Sequence, residues 1–222
     1  AVGAAAAATL AGMGISGSKS VQDFADMKEA ESQVVKYTNL TKAQVEGLNE
    51  EFKKMDTRTS REELNKLAGD AGKLGIDGKK NILDFVDAGN QIKIALGEDL
   101  GQDAITNIGK IASMFGDDKK LGLKQAMLSS GSAINQLGQD SSATEAYILD
   151  FTYRLSGAGK QAKMTQTDIM GLASVLDQNG QEVETSATAI SQLLIKMYQD
   201  PSKFAKLAGI NVQEFINMFR TN

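Results

Sequence analysis

The spacing of hydrophobic residues follows a helical period along almost the whole chain. From Val21 onward, apolar residues recur three and four positions apart, with charged or polar residues between them. No alternating run of β-branched residues indicates a strand. The pattern predicts an all-α protein, either a multi-helix bundle or a helical-repeat array, with about ten helices broken by glycines. The predicted helices begin near residues 21, 41, 60, 81, 103, 124, 142, 167, 186, 202 and 212.

Several of these helices carry recognisable end signals. Capping boxes, in which a Ser or Thr is followed three residues later by Glu or Gln, are predicted at 41–44, 60–63 and 142–145. Gly75 and Gly116 are predicted to end helices as C′ glycines. The Ser-Ser-Gly-Ser stretch at 129–132 predicts a weak point inside a helix.

A tetrapeptide repeat suggests that the helices are arranged in copies. Ile-Leu-Asp-Phe occupies 82–85 and again 148–151, and the same offset of 66 places Gly72 on Gly138. A weaker third copy lies at about twice this offset from the first, where Ile76 falls on Ile210. Stacked helical repeats produce such phased matches. The alternative is that helix–Gly–helix segments resemble one another by composition alone.

The predicted organisation has three parts. Residues 1–20 form an Ala- and Gly-rich lead-in, residues 21–58 form leading helices, and residues 59–222 form a helical repeat region. Its repeats start near 67, 133 and 205, and the last is truncated, so the sequence is interpreted as a fragment. The first fifteen residues are almost all small and apolar, but they are shorter than the roughly 20 residues of a membrane span. We interpret them as a helix lying against a partner. The alternative is the tail of a membrane-active segment that begins upstream.

Composition removes several classes of chemistry. The chain has no His, Cys or Trp, which excludes thiolate nucleophiles, Cys/His zinc sites and histidine acid–base catalysis. A net charge of −4 disfavours a nucleic-acid surface. We therefore predict a protein that is not an enzyme, with no catalytic residues, cofactor, metal site, small-molecule ligand or sequence-specific nucleic-acid binding.

Two short motifs resemble ligand loops and fail at named positions. Residues 12–20 approach the phosphate-binding Gly-x4-Gly-Lys-Ser pattern, but an extra Ser precedes the Lys and no buried strand precedes the loop. We interpret this stretch as a joint between helices. Residues 177–180 resemble the middle of a calcium loop, but Val175 and Ser186 stand where carboxylates are required. We interpret this stretch as a turn.

Carboxylate pairs are the remaining candidates for catalysis. A glycosidase or muramidase needs two carboxylates across a cleft, one of them with a raised pKa. Each pair here also suits a helix start or a solvated face, which we favour. The methionines lie mostly on apolar stripes and are predicted to fill the core, with adaptable helix–helix contact as the alternative. The pairs are Glu50/Glu51, Glu62/Glu63, Asp117/Asp118 and Glu182/Glu184.

Taken together, several segments resemble a known family. The order and spacing of Ser-x-x-Glu-Leu, Gly-Ile, Asp-Phe, Ser-Gly and Ala-Gly-Ile is similar to the core of phage tail tape measure proteins of the TP901 type. The similarity covers about residues 20–222. It is carried by residues 60–76, 82–85, 131–136, 148–157, 172–180, 184–189 and 204–210.

The resemblance implies a structural role in tail assembly. It implies a helical scaffold in the tail lumen of the virion, which sets tail tube length and is released at DNA ejection. The implied partners are copies of the same chain, the tail tube protein and tail assembly chaperones in the host cytoplasm, with host membrane contact at ejection through the Ala-rich segment. The alternatives are a helical-repeat protein-binding or adaptor module and, less favoured, a peptidoglycan-active or nucleotide-binding enzyme domain.

Overall fold

The computed structural model describes residues 17–97, 100–101 and 103–220. It confirms the predicted all-α class, since this part of the chain forms twelve α-helices and no strand. The helices are α1 (Gly17–Tyr37), α2 (Lys42–Phe52), α3 (Arg61–Lys73), α4 (Lys79–Leu96), α5 (Ala104–Phe115), α6 (Asp117–Leu121), α7 (Leu123–Asp140), α8 (Glu145–Gln161), α9 (Gln166–Gln178), α10 (Val183–Gln199), α11 (Pro201–Ala208) and α12 (Val212–Arg220).

Two of the predicted capping boxes form as expected. The Thr41 side chain accepts a hydrogen bond from the Gln44 backbone N–H, and the Gln44 side chain accepts one from the Thr41 N–H. Ser60 and Glu63 make the same reciprocal pair at the start of α3. Each box satisfies two backbone donors that a helix start leaves unpaired.

The third predicted capping box, at 142–145, is wrong. The N-cap of α8 is Thr144, whose side chain accepts from the Tyr147 N–H. The Asp177 carboxylate accepts hydrogen bonds from both the backbone N–H and the hydroxyl of Thr144, at 2.7 and 3.2 Å. This contact with a distant residue holds Thr144 in an extended conformation, so the helix begins after it.

The predicted weak point at 129–132 does not interrupt its helix. Residues Leu123–Asp140 form one continuous helix, and the side chain of Ile92 packs directly against Gly131. Tertiary contact therefore outweighs the low helix propensity of this stretch. The five-residue helix α6 was not predicted, because it follows Gly116 too closely to show a periodic pattern.

Glycine-centred turns of one geometry end several of the described helices, including α3 and α11. Gly75, at φ 76°, follows α3, and the Ile76 N–H donates to the Ala71 carbonyl at 3.0 Å. Gly209, at φ 71°, follows α11, and the next N–H donates five residues back at 3.1 Å. A residue in the left-handed region is needed at this place, and glycine adopts it without steric cost.

The described residues form two compact units, one ending at Val86 and the other beginning at Asp87. In the first unit, α1 packs along α3, and α2 contacts both helices. Its core contains the large buried side chains Val34, Val45, Leu48, Phe52, Leu64, Ile82 and Phe85.

The core of the first unit also encloses a pair of amides. Asn65 is fully buried and donates to the Asn49 side-chain oxygen at 2.8 Å, and Asn49 donates back at 3.3 Å. Their amide nitrogens also donate to the carbonyls of Val45 and Arg61. The pair links α2 to α3, and each amide would be left with an unmet polar group if the other were removed.

In the second unit, α8 is the central helix. It packs against α5, α7, α9 and α10, while α11 and α12 pack against each other. Hydrogen bonds between side chains tie neighbouring helices together: Ser130 donates to Gln166 at 2.8 Å, and Gln166 donates to Asp117 at 2.9 Å. The core of this unit contains Ile108, Ile111, Met127, Ile134, Ile148, Phe151, Leu155, Ile169 and Met170.

The helix starts recur along the chain. Helices α1, α2 and α3 are followed by α4, which begins at position 79, and by α5 and α7; α2 and α3 begin at 42 and 61, and α5 and α7 begin at 104 and 123, an offset of 62 for both. Helices α8, α9 and α10 begin at 145, 166 and 183, at further offsets of 66, 62 and 60. We call each of these groups a three-helix set. The domain boundaries and repeat starts that the sequence predicts stay a prediction.

Small residues allow helices in these sets to approach closely. At Gly72 in α3, an added Cβ would overlap the backbone carbonyl of Tyr37 and lie 2.8 Å from the Thr38 methyl group. At Gly131 in α7, an added Cβ would lie 2.8 Å from Ile92. The absence of a side chain at these places is therefore a packing requirement.

We expect Gly72→Ala to destabilise the protein by about 1–3 kcal/mol, because the new methyl group meets backbone atoms, which cannot rotate away as a side chain can. Urea unfolding followed by far-UV circular dichroism measures the change. The matched control is Gly157→Ala in α8, where no atom lies within 4 Å of the added Cβ. That substitution should stabilise by about 0.5–1 kcal/mol. Equal effects of the two substitutions would contradict the close approach.

A double-mutant cycle tests the buried amide pair. Asn65→Ala should cost about 1–3 kcal/mol, because the Asn49 amide is left buried without its partner. Replacing both residues with Leu removes both polar groups, so the double variant should lose less than the sum of the single Leu variants. The free energies of unfolding come from denaturant titration. Strict additivity would show that the two amides do not act as a pair.

Candidate interaction surface

At least one carboxylate of each pair considered as a catalytic candidate forms an ion pair. Glu50 bonds Lys53 at 2.6 Å and Glu51 bonds Lys54 at 3.2 Å, both within one helical turn. The hydrogen bonds from these lysines lower the pKa of both carboxyl groups. A glycosidase acid needs a raised pKa, so the shift is opposite in direction to that requirement.

The other three pairs are arranged in a similar way. One carboxylate of each pair contacts a cation: Glu62 contacts Lys66, Asp117 contacts Lys120, and Glu184 contacts Arg154. Such exposed ion pairs contribute little to stability, in the range of about 0–1 kcal/mol. They are typical of solvated helix faces, as the sequence indicates for these positions.

The described parts of the two loop-like motifs lie at helix ends. Residues 12–16 of the phosphate-loop-like stretch lie outside the described residues, and residues 17–20 begin α1. Asp177 caps the start of α8 from α9, and Gly180 ends α9 at φ 67°. Within the described part of the chain, no three His, Cys, Asp or Glu residues are grouped so that they could hold a metal ion.

The described helices do not have the character of membrane spans. None of them combines the length and the apolar composition needed to cross a bilayer. The Ala-rich segment that the sequence relates to membrane contact falls mostly in residues 1–16, outside the described part.

The most conspicuous feature of the second unit is an apolar surface on its last three helices. Among the described side chains, α10 buries only Ser186 and Ala187, and α11 buries only Ala205. The side chains that we call the C-terminal apolar surface are Leu193, Ile195, Tyr198, Leu207, Val212 and Met218. Of these, Leu207 is 74% exposed and Met218 is 64% exposed. Leu193 and Ile195 are two positions apart and lie on different sides of α10, so the name denotes the exposed apolar side chains of these three helices and not one patch.

A groove of about 360 Å³ adjoins this surface between α8 and α10. The Tyr198 hydroxyl crosses the groove and donates to the backbone carbonyl of Gln161. The remaining lining is largely aliphatic and comes from Ala158, Leu194, Ile195 and the stem of Gln199. The arrangement suits an aliphatic side chain from a protein partner better than a polar small molecule.

Helix caps and an aromatic contact fix the two last helices, which carry part of this surface. Asp200 caps α11 by accepting from the Lys203 N–H at 3.1 Å, and Asn211 accepts from the Glu214 N–H at 2.7 Å. A buried phenylalanine of α12 stacks on one of α11, with ring centroids 6.4 Å apart, which joins the two helices. The apolar surface is therefore carried on helices whose ends are defined. The stacked rings are those of Phe204 and Phe215.

The sequence does not predict this exposed apolar surface. Periodicity identifies an apolar stripe but does not show whether another helix covers it. The prediction that methionines fill the core is right for Met127 and Met170, which are fully buried, and wrong for Met218.

The chain matches the model of a known protein family. The model of the family described as phage-related minor tail protein matches residues 43–221, from the first turn of α2 to the end of α12. No curated protein and no solved structure matches the chain. Because the family model covers more than half of the chain, the protein belongs to the phage-related minor tail protein family.

Proposed function

We propose that this chain is a segment of a phage tail tape measure protein, a helical scaffold that sets the length of the tail tube. The observation that carries the proposal is the match to the minor tail protein family across residues 43–221 of a chain whose described part is all-α. Family membership supports a location in the phage tail, and therefore with the virion. It also supports a structural rather than an enzymatic role.

The proposed mechanism is mechanical. An α-helix rises about 1.5 Å per residue, so about 60 residues in one straight helix span about 90 Å. In the structure, helices within a three-helix set pack against one another, for example α1 along α3. We propose that in the tail lumen the helices lie in line, with the glycine-ended turns opened, and that the chain is released at DNA ejection.

The proposed partners are other proteins of the tail. Copies of the same chain and the tube protein contact the helices in the lumen, and assembly chaperones bind them in the host cytoplasm. The Ala-rich start contacts the host membrane at ejection. The C-terminal apolar surface supports protein association, because it leaves large aliphatic side chains in contact with water.

Deleting one helical period tests whether the chain sets tail length. Deletion of positions 104–165 joins Asp103 to Gln166, so that α9 starts where α5 started and one whole period is lost. In a phage genome that carries this sequence, tails should shorten by about 90 Å. Electron microscopy of negatively stained virions measures tail length. The matched control duplicates the same segment and should lengthen the tail by the same amount. Assembled tails of unchanged length in both variants would contradict the proposal.

Self-association has its own test. The chain should sediment as an oligomer whose mass rises with concentration, and replacing both Leu207 and Met218 with Glu should reduce that association. Both side chains are already exposed, so the free energy of unfolding should change by less than about 0.5 kcal/mol. Analytical ultracentrifugation and denaturant titration provide the two measurements. The substitutions Thr188→Glu and Gln192→Glu, on exposed polar positions of α10, give the charge-matched control. A monomer at all concentrations would contradict the association.

A further inference from the structure

We propose that Asn179 is a deamidation site whose reaction rate is set by the opening of the turn at the end of α9. In the sequence, Asn179 alone among the asparagines is followed by glycine, and both residues of the pair are exposed to water. Glycine has no side chain to shield its backbone nitrogen, so this nitrogen can reach the side-chain carbonyl carbon of the residue before it. No other heavy atom lies within 4 Å of a Cβ added at Gly180, so water has access to the pair.

The reaction passes through a cyclic imide. The Gly180 backbone nitrogen loses its proton to hydroxide and forms a bond to Cγ of Asn179, while the bond from Cγ to Nδ2 breaks and ammonia leaves. Water then opens the ring. Attack of water at Cγ gives aspartate in an ordinary backbone, and attack at the main-chain carbonyl carbon gives isoaspartate, in which the main chain runs through Cγ. One water is consumed and one ammonia is released, with no oxidation or reduction.

The closed turn holds both reacting groups in hydrogen bonds. The Gly180 N–H donates to the carbonyl of Asp177 at 2.8 Å, and the side-chain amide of Asn179 donates to the carbonyl of Val175 at 2.6 Å. The first bond retains the proton that has to leave the nucleophile. The second ties the leaving amide nitrogen to the preceding turn of the helix. Both bonds have to break before the ring can form.

A third hydrogen bond closes the turn itself. The Gln181 N–H donates to the carbonyl of Leu176 at 3.1 Å, with Gly180 in the left-handed region at φ 67°. Helix ends open locally without unfolding of the whole protein. The rate of deamidation therefore follows the fraction of time for which this turn is open.

The product does not re-form the same turn. Deamidation places a new carboxylate at the end of α9, where the partial negative charge of the helix terminus disfavours it. Isoaspartate also lengthens the main chain between residues 179 and 180 by one carbon, which displaces the Gln181 N–H from the carbonyl of Leu176. The reaction therefore makes opening irreversible. Only the use of this step in the tail lumen, where opened turns are favoured, rests on the proposed function.

The test follows deamidation in the whole chain. The protein is incubated at mildly alkaline pH with and without urea, and peptides are analysed by mass spectrometry with fragmentation that separates aspartate from isoaspartate. We expect Asn179 to react at least about tenfold faster in urea than in the folded chain, because no turn then has to open. In urea it should also react before the other asparagines. Equal rates with and without urea, or earlier reaction of another asparagine in urea, would overturn the proposal.

Two substitutions of Gln181 separate its backbone from its side chain. Gln181→Pro removes the N–H that donates to Leu176 and disfavours the closed turn, while the Asn-Gly pair stays in place. In the folded chain it should raise the rate several-fold, toward the rate in urea. Gln181→Ala keeps the N–H and is the matched control, whose rate should equal that of the parent. Equal rates in all three chains would show that the turn does not control the reaction. The comparison with and without urea needs neither variant to fold.

A last measurement checks that the opening is irreversible. Chain deamidated in urea is separated from unmodified chain by anion exchange, and both are refolded. The Gln181 amide hydrogen should exchange at least about tenfold faster in the modified chain, because its bond to Leu176 is lost. Equal exchange would contradict the irreversible opening. These measurements use the isolated chain, so a failure of the tail-length test leaves them unaffected.

Discussion

The packing of this protein depends on the close approach of helices. Glycine permits this approach because it has no side chain at the contact. Gly72 meets the backbone at Tyr37, and Gly131 meets the side chain of Ile92. Where a glycine removes the Cβ, flanking aliphatic residues reach each other and become buried. The same choice of residue weakens the helix that contains it, by about 1 kcal/mol relative to alanine. The close approach must therefore supply more stabilisation than the glycine costs.

Buried polar groups add specificity to this packing. The Asn49–Asn65 pair and the bonds from Ser130 through Gln166 to Asp117 each join two or more helices and require one alignment of them. An aliphatic contact tolerates sliding by part of a turn, but a paired amide does not, because a displaced partner leaves a polar group unsatisfied. These bonds define which helix pairs with which in a chain whose apolar stripes are similar to one another.

The sequence predicted the helices better than their contacts. The helix class and the starts of α2 and α3 follow from local signals, namely periodicity and reciprocal capping by Thr41 and Ser60. The start of α8 was missed because it depends on Asp177, which is distant in the sequence. The offset between the two copies of Ile-Leu-Asp-Phe was visible because the string is conspicuous, whereas the regular spacing of helix starts is carried by small and apolar residues of changing identity. The exposed apolar residues of α10 follow the same helical period as buried ones elsewhere, so only the tertiary structure distinguishes the two.

The recurrence of helix starts at intervals of 60–66 residues has a consequence for how genes of this kind change. Each residue inserted into a helix rotates everything after it by about 100°, which moves later apolar stripes away from their partners. The loss or gain of a whole three-helix set leaves each remaining helix intact, so the apolar residues keep their positions within it. Recombination between two coding segments that are one period apart produces such a change in one step. We therefore expect proteins with this spacing to change in length by whole sets, because other insertions turn later apolar stripes away from their partners.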